Sequence, residues 1–174
     1  MSATYILDSD VFMQSKNREY RFQFAGAFWQ WVLDAHAAGV VFSISKVHAE
    51  INQGKKTCPL RQWVAAKVPK SFWLPDTSDK LVMQQYPQVI SWAYNLGQFD
   101  HKALSDFAST KTADAFLIAV GKAKGHAIVT HEGESTNSVV RVMLPHAAHS
   151  LGVNTFNLYD LLSKHATHSF KFHI

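Results

Sequence analysis

Short apolar runs that end in acidic residues alternate along this chain with stretches whose apolar positions fall at helical spacing. The first run, Thr4-Tyr5-Ile6-Leu7, is β-prone and stops at Asp8 and Asp10, as a buried parallel strand does when its carboxyl end carries polar groups. Beyond a polar stretch holding Lys16, Asn17 and Arg18, residues 24–38 place Phe28, Trp31, Val32 and Ala35 on one helical face and stop at Gly39. Residues 40–44 read as a second strand. Ser45 is expected to cap a short helix through Ile51 that carries Glu50 and ends at Gly54.

Residues 57–110 change character. Pro59, Pro69, Pro75 and Pro87 punctuate them, and Trp63, Trp73 and Trp92 supply bulky apolar anchors. Helices are expected over about 59–67, 78–96 and 101–108, with Phe72-Trp73-Leu74 as a short extended piece. Thr110 or Thr112 should cap a helix over 113–124 that Gly125 stops, and residues 127–130 form a strand leading to Glu132. A loop through Asn137 precedes residues 139–144, residues 153–156 read as a last strand, and Leu158, Leu161 and Leu162 mark a final amphipathic helix. No internal repeat or linker interrupts the pattern. Strands alternating with helices imply an α/β fold of three layers, a central parallel sheet between helices, in a single domain over 1–174 with a helical segment at about 57–110. The strand ends of such a sheet form a ligand crevice, and Asp8 and Glu132 should both face it.

Composition narrows the function classes. A chain of 174 residues with 47% hydrophobic content has material for a proper core, which excludes disorder. Met1 to Tyr5 passes directly into Ile6, Leu7 and Asp8 without a basic start or a small-residue cleavage site, and no apolar segment is long enough for a bilayer, so a soluble, cytoplasmic protein without membrane contact is expected. A lone Cys58 excludes an intramolecular disulfide and leaves a thiolate metal site too few ligands. The net charge of +4 exerts a modest pull on anions such as nucleic acid, although basic groups such as Lys55, Lys56 and Arg61 also suit an ordinary solvated surface. His131-Glu132 lacks the second histidine of a zincin, and His146 with His149 is an isolated pair. The five tryptophans are assigned mostly to core packing.

Four acids share one expected end of the sheet: Asp8 after the first strand, Glu50 on the helix after the second, Asp114 in the first turn of a helix, and Glu132 after a later strand. Carboxylates gathered without partners repel and raise one another's pKa, so such a cluster persists only by sharing protons or holding a cation. Hard oxygen donors suit Mg²⁺ or Mn²⁺. Such an ion positions a phosphodiester, lowers the pKa of a water and offsets charge on the leaving oxygen. Singly, three of the acids also have a structural use: Asp114 beside a helix dipole, Glu50 on a solvated helix face, Glu132 in a loop. Their joint placement points to nuclease chemistry.

The residues 5–12, Tyr-Ile-Leu-Asp-Ser-Asp-Val-Phe, resemble the opening motif of PIN domains, in which a strand leads to an Asp, a small hydroxyl residue, an Asn or Asp, and an apolar pair. Residues 43–51, ending in Glu50 and Ile51, are similar to the second PIN motif, residues 113–119 around Asp114 to the third, and residues 127–132 to the fourth. The resemblance is nearest to a bacterial PIN-like domain-of-unknown-function branch, in which Thr-His-Glu stands for the commoner Thr-x-Asp; Asn137 and residues 141–145 share it. It implies a PIN-like three-layer fold and a metal-dependent ribonuclease using Mg²⁺ or Mn²⁺, often the toxin of a toxin–antitoxin pair. Asp8, Glu50, Asp114 and Glu132 would be its catalytic and metal-binding residues, with Ser9, Asp10, Thr130 and Asn137 in support. RNA is the implied substrate, with a cognate antitoxin protein and a homodimer as candidate assemblies. Two rival classes stand beside it. Asp8-Ser9-Asp10 also resembles the nucleophile and general-acid pair of haloacid-dehalogenase-like phosphatases, though Phe12 and the lack of a paired late acidic motif count against them. An inactive PIN-like binding module is the other, against which the presence of all four acids counts.

Overall fold

The computed structural model describes residues 3–172; Met1 and Ser2, the start of the stretch judged to lack leader character, lie outside the described residues. Its centre is a parallel sheet of five strands, β1 (Tyr5–Leu7), β2 (Val41–Ile44), β3 (Trp73–Leu74), β4 (Ala127–Val129) and β5 (Thr155–Phe156), in the order β3-β2-β1-β4-β5. Helices fill the connections, α1 (Ser9–Asn17), α2 (Gly26–Ala37), α3 (Ser45–Asn52), α4 (Pro59–Lys67), α5 (Lys80–Leu96), α6 (His101–Phe107), α7 (Asp114–Lys124) and α8 (Leu144–Ser150), and α9 (Leu158–His165) follows the last strand. The chain steps from β1 to β2 and β3 in one direction, then returns past β1 to β4 and β5. Right-handed crossovers therefore put α1–α4 on one face and α5–α8 on the other. The reversal falls between β1 and β4, where Leu7 pairs with Val129, and this is the switch point at which open α/β sheets bind ligands.

Strand burial explains the apolar runs: Tyr5, Ile6 and Leu7 are at most 1% exposed because both faces of β1 are covered. In α7, residues 115–121 are all buried, as a helix packed between the sheet and α5 must be. Gly125, in the left-handed region at φ 70°, ends α7 as expected. Gly121, inside α7, packs against the segments that lead into β4 and β5; a Cβ there would stand 2.7 Å from Val153 Cγ1 and 3.0 Å from the His126 carbonyl oxygen. Gly121→Ala is expected to destabilise the fold by about 1–3 kcal/mol through overpacking, read as a lowered Tm; an unchanged Tm would show that Val153 and the His126 carbonyl yield freely.

Trp29 and Trp31 are in the core, their indole N–H groups donating to the carbonyl oxygens of Tyr20 (2.7 Å) and His165 (3.1 Å), and Trp63, Trp73 and Trp92 pack against it. Cys58 is half-buried against the same cluster. No helix among the described residues is long and apolar enough to cross a membrane.

Three local expectations are corrected. The polar stretch after Asp10 is the helix α1: Asp8 caps it and its Val11, Phe12 and Ser15 are buried, but the polar residues between them mask the periodicity. Ser45 does not cap α3; its hydroxyl bonds the Leu74 carbonyl, and the buried Asp76 reaches across to accept from Lys46 N at 2.7 Å. Nor do Thr110 or Thr112 cap α7, since Thr112 Oγ1 donates to the carbonyl oxygens of Asp106 and Ser109. In addition, α8 begins at Leu144 with Pro145 in its first turn, a helix start not read in the sequence.

Candidate active site

Because Leu7 and Val129 are register partners, the residues that follow them, Asp8 and Thr130, emerge side by side at the switch point. Asp8 Oδ1 accepts from Ser9 N at 2.6 Å, closing the start of α1. Thr130 Oγ1 lies 3.0 Å from both Asp8 Oδ2 and Asp10 Oδ2 and accepts from Glu132 N at 3.1 Å. A hydroxyl has one proton, so it donates to one carboxylate at a time unless the other carries a proton of its own. Asp10 is further fixed by His131 N at 3.0 Å.

The remaining acids arrive from three other elements. Glu50, on α3, accepts from Ala113 N at 2.9 Å and so supplies the missing cap of α7. That cap positions Asp114, the first residue of α7. Glu132 Oε2 accepts from Leu144 N at 2.9 Å at the start of α8, while Oε1 pairs with Arg141. The same guanidinium stands 3.9 Å from Asp114 Oδ2. Ser9 contributes its backbone N–H to Asp8, whereas Asn137 stays exposed in the loop, its Oδ1 3.4 Å from Thr136 Oγ1, away from these contacts.

Burial and mutual repulsion show in the titration. Asp8, 4% exposed, is held well above the ordinary carboxylate range, first by burial and then by the charges of Asp10 and Asp114. Asp114 is pushed up to about 7, first by its packing and then by Glu132, with Arg141 offsetting part of the rise and Glu50 and Asp10 adding to it. Its side chain keeps 27% exposure, so the site's open mouth begins there. A cavity of about 450 Å³ adjoins it, walled by Phe107, Val140, Val142, Thr112, Lys102 and Arg141.

Such a donor set suits a hard divalent cation, being all carboxylate oxygen with two members disfavoured as free anions. Among the described residues, however, no three His, Cys, Asp or Glu side chains stand at the spacing of ligands to one ion. Arg141, Thr130 and the amides of Ala113 and Leu144 already engage the oxygens. The donor chemistry fits the ion, and these hydrogen bonds set the arrangement of the carboxylates.

Thr130 is the hub of that arrangement and is 2% exposed. Thr130→Val is expected to cost about 1–3 kcal/mol, because buried carboxylate oxygens and the Glu132 N–H lose their partner. Thermal melting checks it, and an unchanged Tm would show that other groups hold the acids.

Compared with known families, residues 5–169 match the family described as Domain of unknown function (DUF4411). The chain belongs to this family. No curated protein matches the DUF4411 chain. Among solved structures, FitAcB from Neisseria gonorrhoeae is similar over 90% of this chain and 99% of its own, at 18% identity and a TM-score of 0.55. The structure of FitAB bound to an IR36 DNA fragment is similar over 98% and 99%, at 18% identity and a TM-score of 0.54. At that identity the likeness establishes the fold, which for this DUF4411 protein is the PIN-like α/β architecture with its central parallel sheet.

Sequence reasoning left Arg141 without a role; an isolated arginine in an irregular loop gives no periodic signal. The histidine pair proves structural: His146 packs against Trp92 and Phe99, and His149 links Glu134 (3.0 Å) to Thr155 (2.8 Å).

Proposed function

We propose that this DUF4411 protein is a divalent-metal-dependent ribonuclease of PIN type acting in the cytoplasm. The observation that carries the reading is the meeting of Asp8, Asp10, Glu50, Asp114 and Glu132 near the β1/β4 switch point, where burial first and then the neighbouring acids raise Asp114 to about 7. Asp8 and Asp114, with Glu50 and Glu132, would hold Mg²⁺ or Mn²⁺, and Thr130 and Asp10 would orient them. Such an ion supplies Lewis acidity toward phosphate oxygens and lowers the pKa of a water. The chain's own part is to fix the acids by caps and hydroxyl bonds, to release the Asp114 proton as the ion enters, and to leave the mouth beside Asp114 open to a strand of RNA. A cognate antitoxin protein, implied by the PIN resemblance, would be the partner that restrains this activity, and a homodimer stands as a candidate assembly.

The test is incubation of the purified protein with single-stranded RNA in Mn²⁺ or Mg²⁺ and in EDTA. Metal-dependent cleavage without a phosphorylated enzyme is the expected result. Phosphoryl label trapped on Asp8 would redirect the reading to a phosphatase, and metal binding with no cleavage of any RNA offered would leave a binding module.

A further inference from the structure

Among the described residues, Arg141 makes the only ion pairs to Glu132 and Asp114. Its side chain is 58% exposed against 11% for that of Glu132, so the guanidinium reaches solvent at the mouth of the site. The irregular loop that carries it is fastened elsewhere. Gln98 Nε2 donates to the carbonyl oxygens of Thr136 (2.8 Å) and Ser138 (2.7 Å), and Asp100 N donates to that of Val139 (3.0 Å). The guanidinium is therefore free to leave the acids without dismantling the loop. Its other side forms part of the wall of the cavity beside Asp114, next to Val140, an apolar residue left 75% exposed at that rim.

A guanidinium and a divalent cation attracted to the same two carboxylates repel each other, so both do not keep that seat. We propose that Arg141 is a resident counter-ion that the metal displaces, and that the released guanidinium then pairs with a phosphate of the RNA strand at the mouth of the cavity. The proposal rests on the metal-dependent nuclease reading. Arginine suits the second task because its planar fork matches phosphate oxygens and keeps its charge at all working pH values.

Arg141→Met separates the two roles, because they have opposite signs. Titration calorimetry with Mn²⁺ alone, without RNA, should show the variant binding metal about tenfold more tightly than the unaltered protein, since no cation competes. Binding of a 2′-O-methyl RNA oligonucleotide in saturating Mn²⁺ should be several-fold weaker in the variant, with the slope of log affinity on log salt reduced by about one. Arg141→Lys, which keeps a charge but cannot span Glu132 and Asp114 as a fork, should fall between the two in metal affinity and serves if Arg141→Met folds poorly. Unaltered or weakened Mn²⁺ binding in the variants overturns the exchange. Tighter metal binding with unchanged RNA affinity and salt slope overturns the phosphate half. If neither the unaltered protein nor the variants take up Mn²⁺, the nuclease reading falls and the exchange falls with it.

Discussion

Asp114→Asn is expected to abolish Mn²⁺-dependent RNA cleavage and to raise the melting temperature of the metal-free protein at pH 8. Asparagine keeps the size and hydrogen-bonding capacity of the residue while removing one charge from a self-repelling cluster. Two attractions oppose that gain: the helix dipole at the start of α7, worth about 0.3–1 kcal/mol, and the Arg141 guanidinium at 3.9 Å. The direction of the titration decides between them. Had the dipole and Arg141 prevailed, the Asp114 carboxyl would sit below its ordinary range, whereas burial first and then the neighbouring acids raise it to about 7, and both effects favour a neutral side chain there. Removing the charge should therefore stabilise the metal-free fold by about 1–2 kcal/mol, or roughly 3–6 °C for a chain of this size. Loss of outer hydrogen bonds around a metal commonly costs about 10–100-fold, so loss of a direct ligand should lower cleavage by about a hundredfold or more. Cleavage assays and melting curves with and without Mn²⁺ check both arms. A variant that melts lower and cleaves normally would make Asp114 a dipole partner only.

The parts of this fold that were legible in sequence are those in which local chemistry and tertiary packing agree. The apolar runs at Tyr5–Leu7 and Ala127–Val129 became the buried strands that flank the switch point, and the Gly125 stop held. The caps were not legible, because α3 and α7 are capped by Asp76 and Glu50, which are distant in sequence and come near only once the sheet has formed. That also changes the meaning of the acids. Glu50 and Glu132 were read as either ligands or ordinary helix and loop acids, and each also accepts from a backbone N–H at the start of a helix. Sequence placed the four acids at one end of the sheet and Arg141 in the family-like stretch 141–145, but gave Arg141 no partner, since an ion pair across an irregular loop follows no period.

Between pH 6.5 and 8 the metal-free protein should lose stability as pH rises, and saturating Mn²⁺ should remove that loss. Asp114 holds its proton up to about pH 7 in the folded state and Asp8 also titrates well above the ordinary range, while in the unfolded chain both are already ionised at those values. The folded state therefore binds more protons than the unfolded one across this window, which makes the slope of stability against pH negative. A single such proton corresponds to about 1.4 kcal/mol per pH unit, so a loss of about 1–2 kcal/mol is expected over the window. His48 and His126 act in the opposite direction, because burial lowers both, but their contribution is confined to pH values near and below 6.5. Metal and proton compete for the same oxygens, so Mn²⁺ affinity should also climb by up to about tenfold per pH unit until the Asp114 proton is gone. Denaturant titrations in EDTA at pH 6.5, 7.25 and 8, run beside Asp114→Asn, isolate the group: the variant should show a flatter profile at every point. A metal-free protein that gained stability across the window would mean that Asp8 and Asp114 ionise freely in the fold, which is incompatible with a cluster that needs a cation.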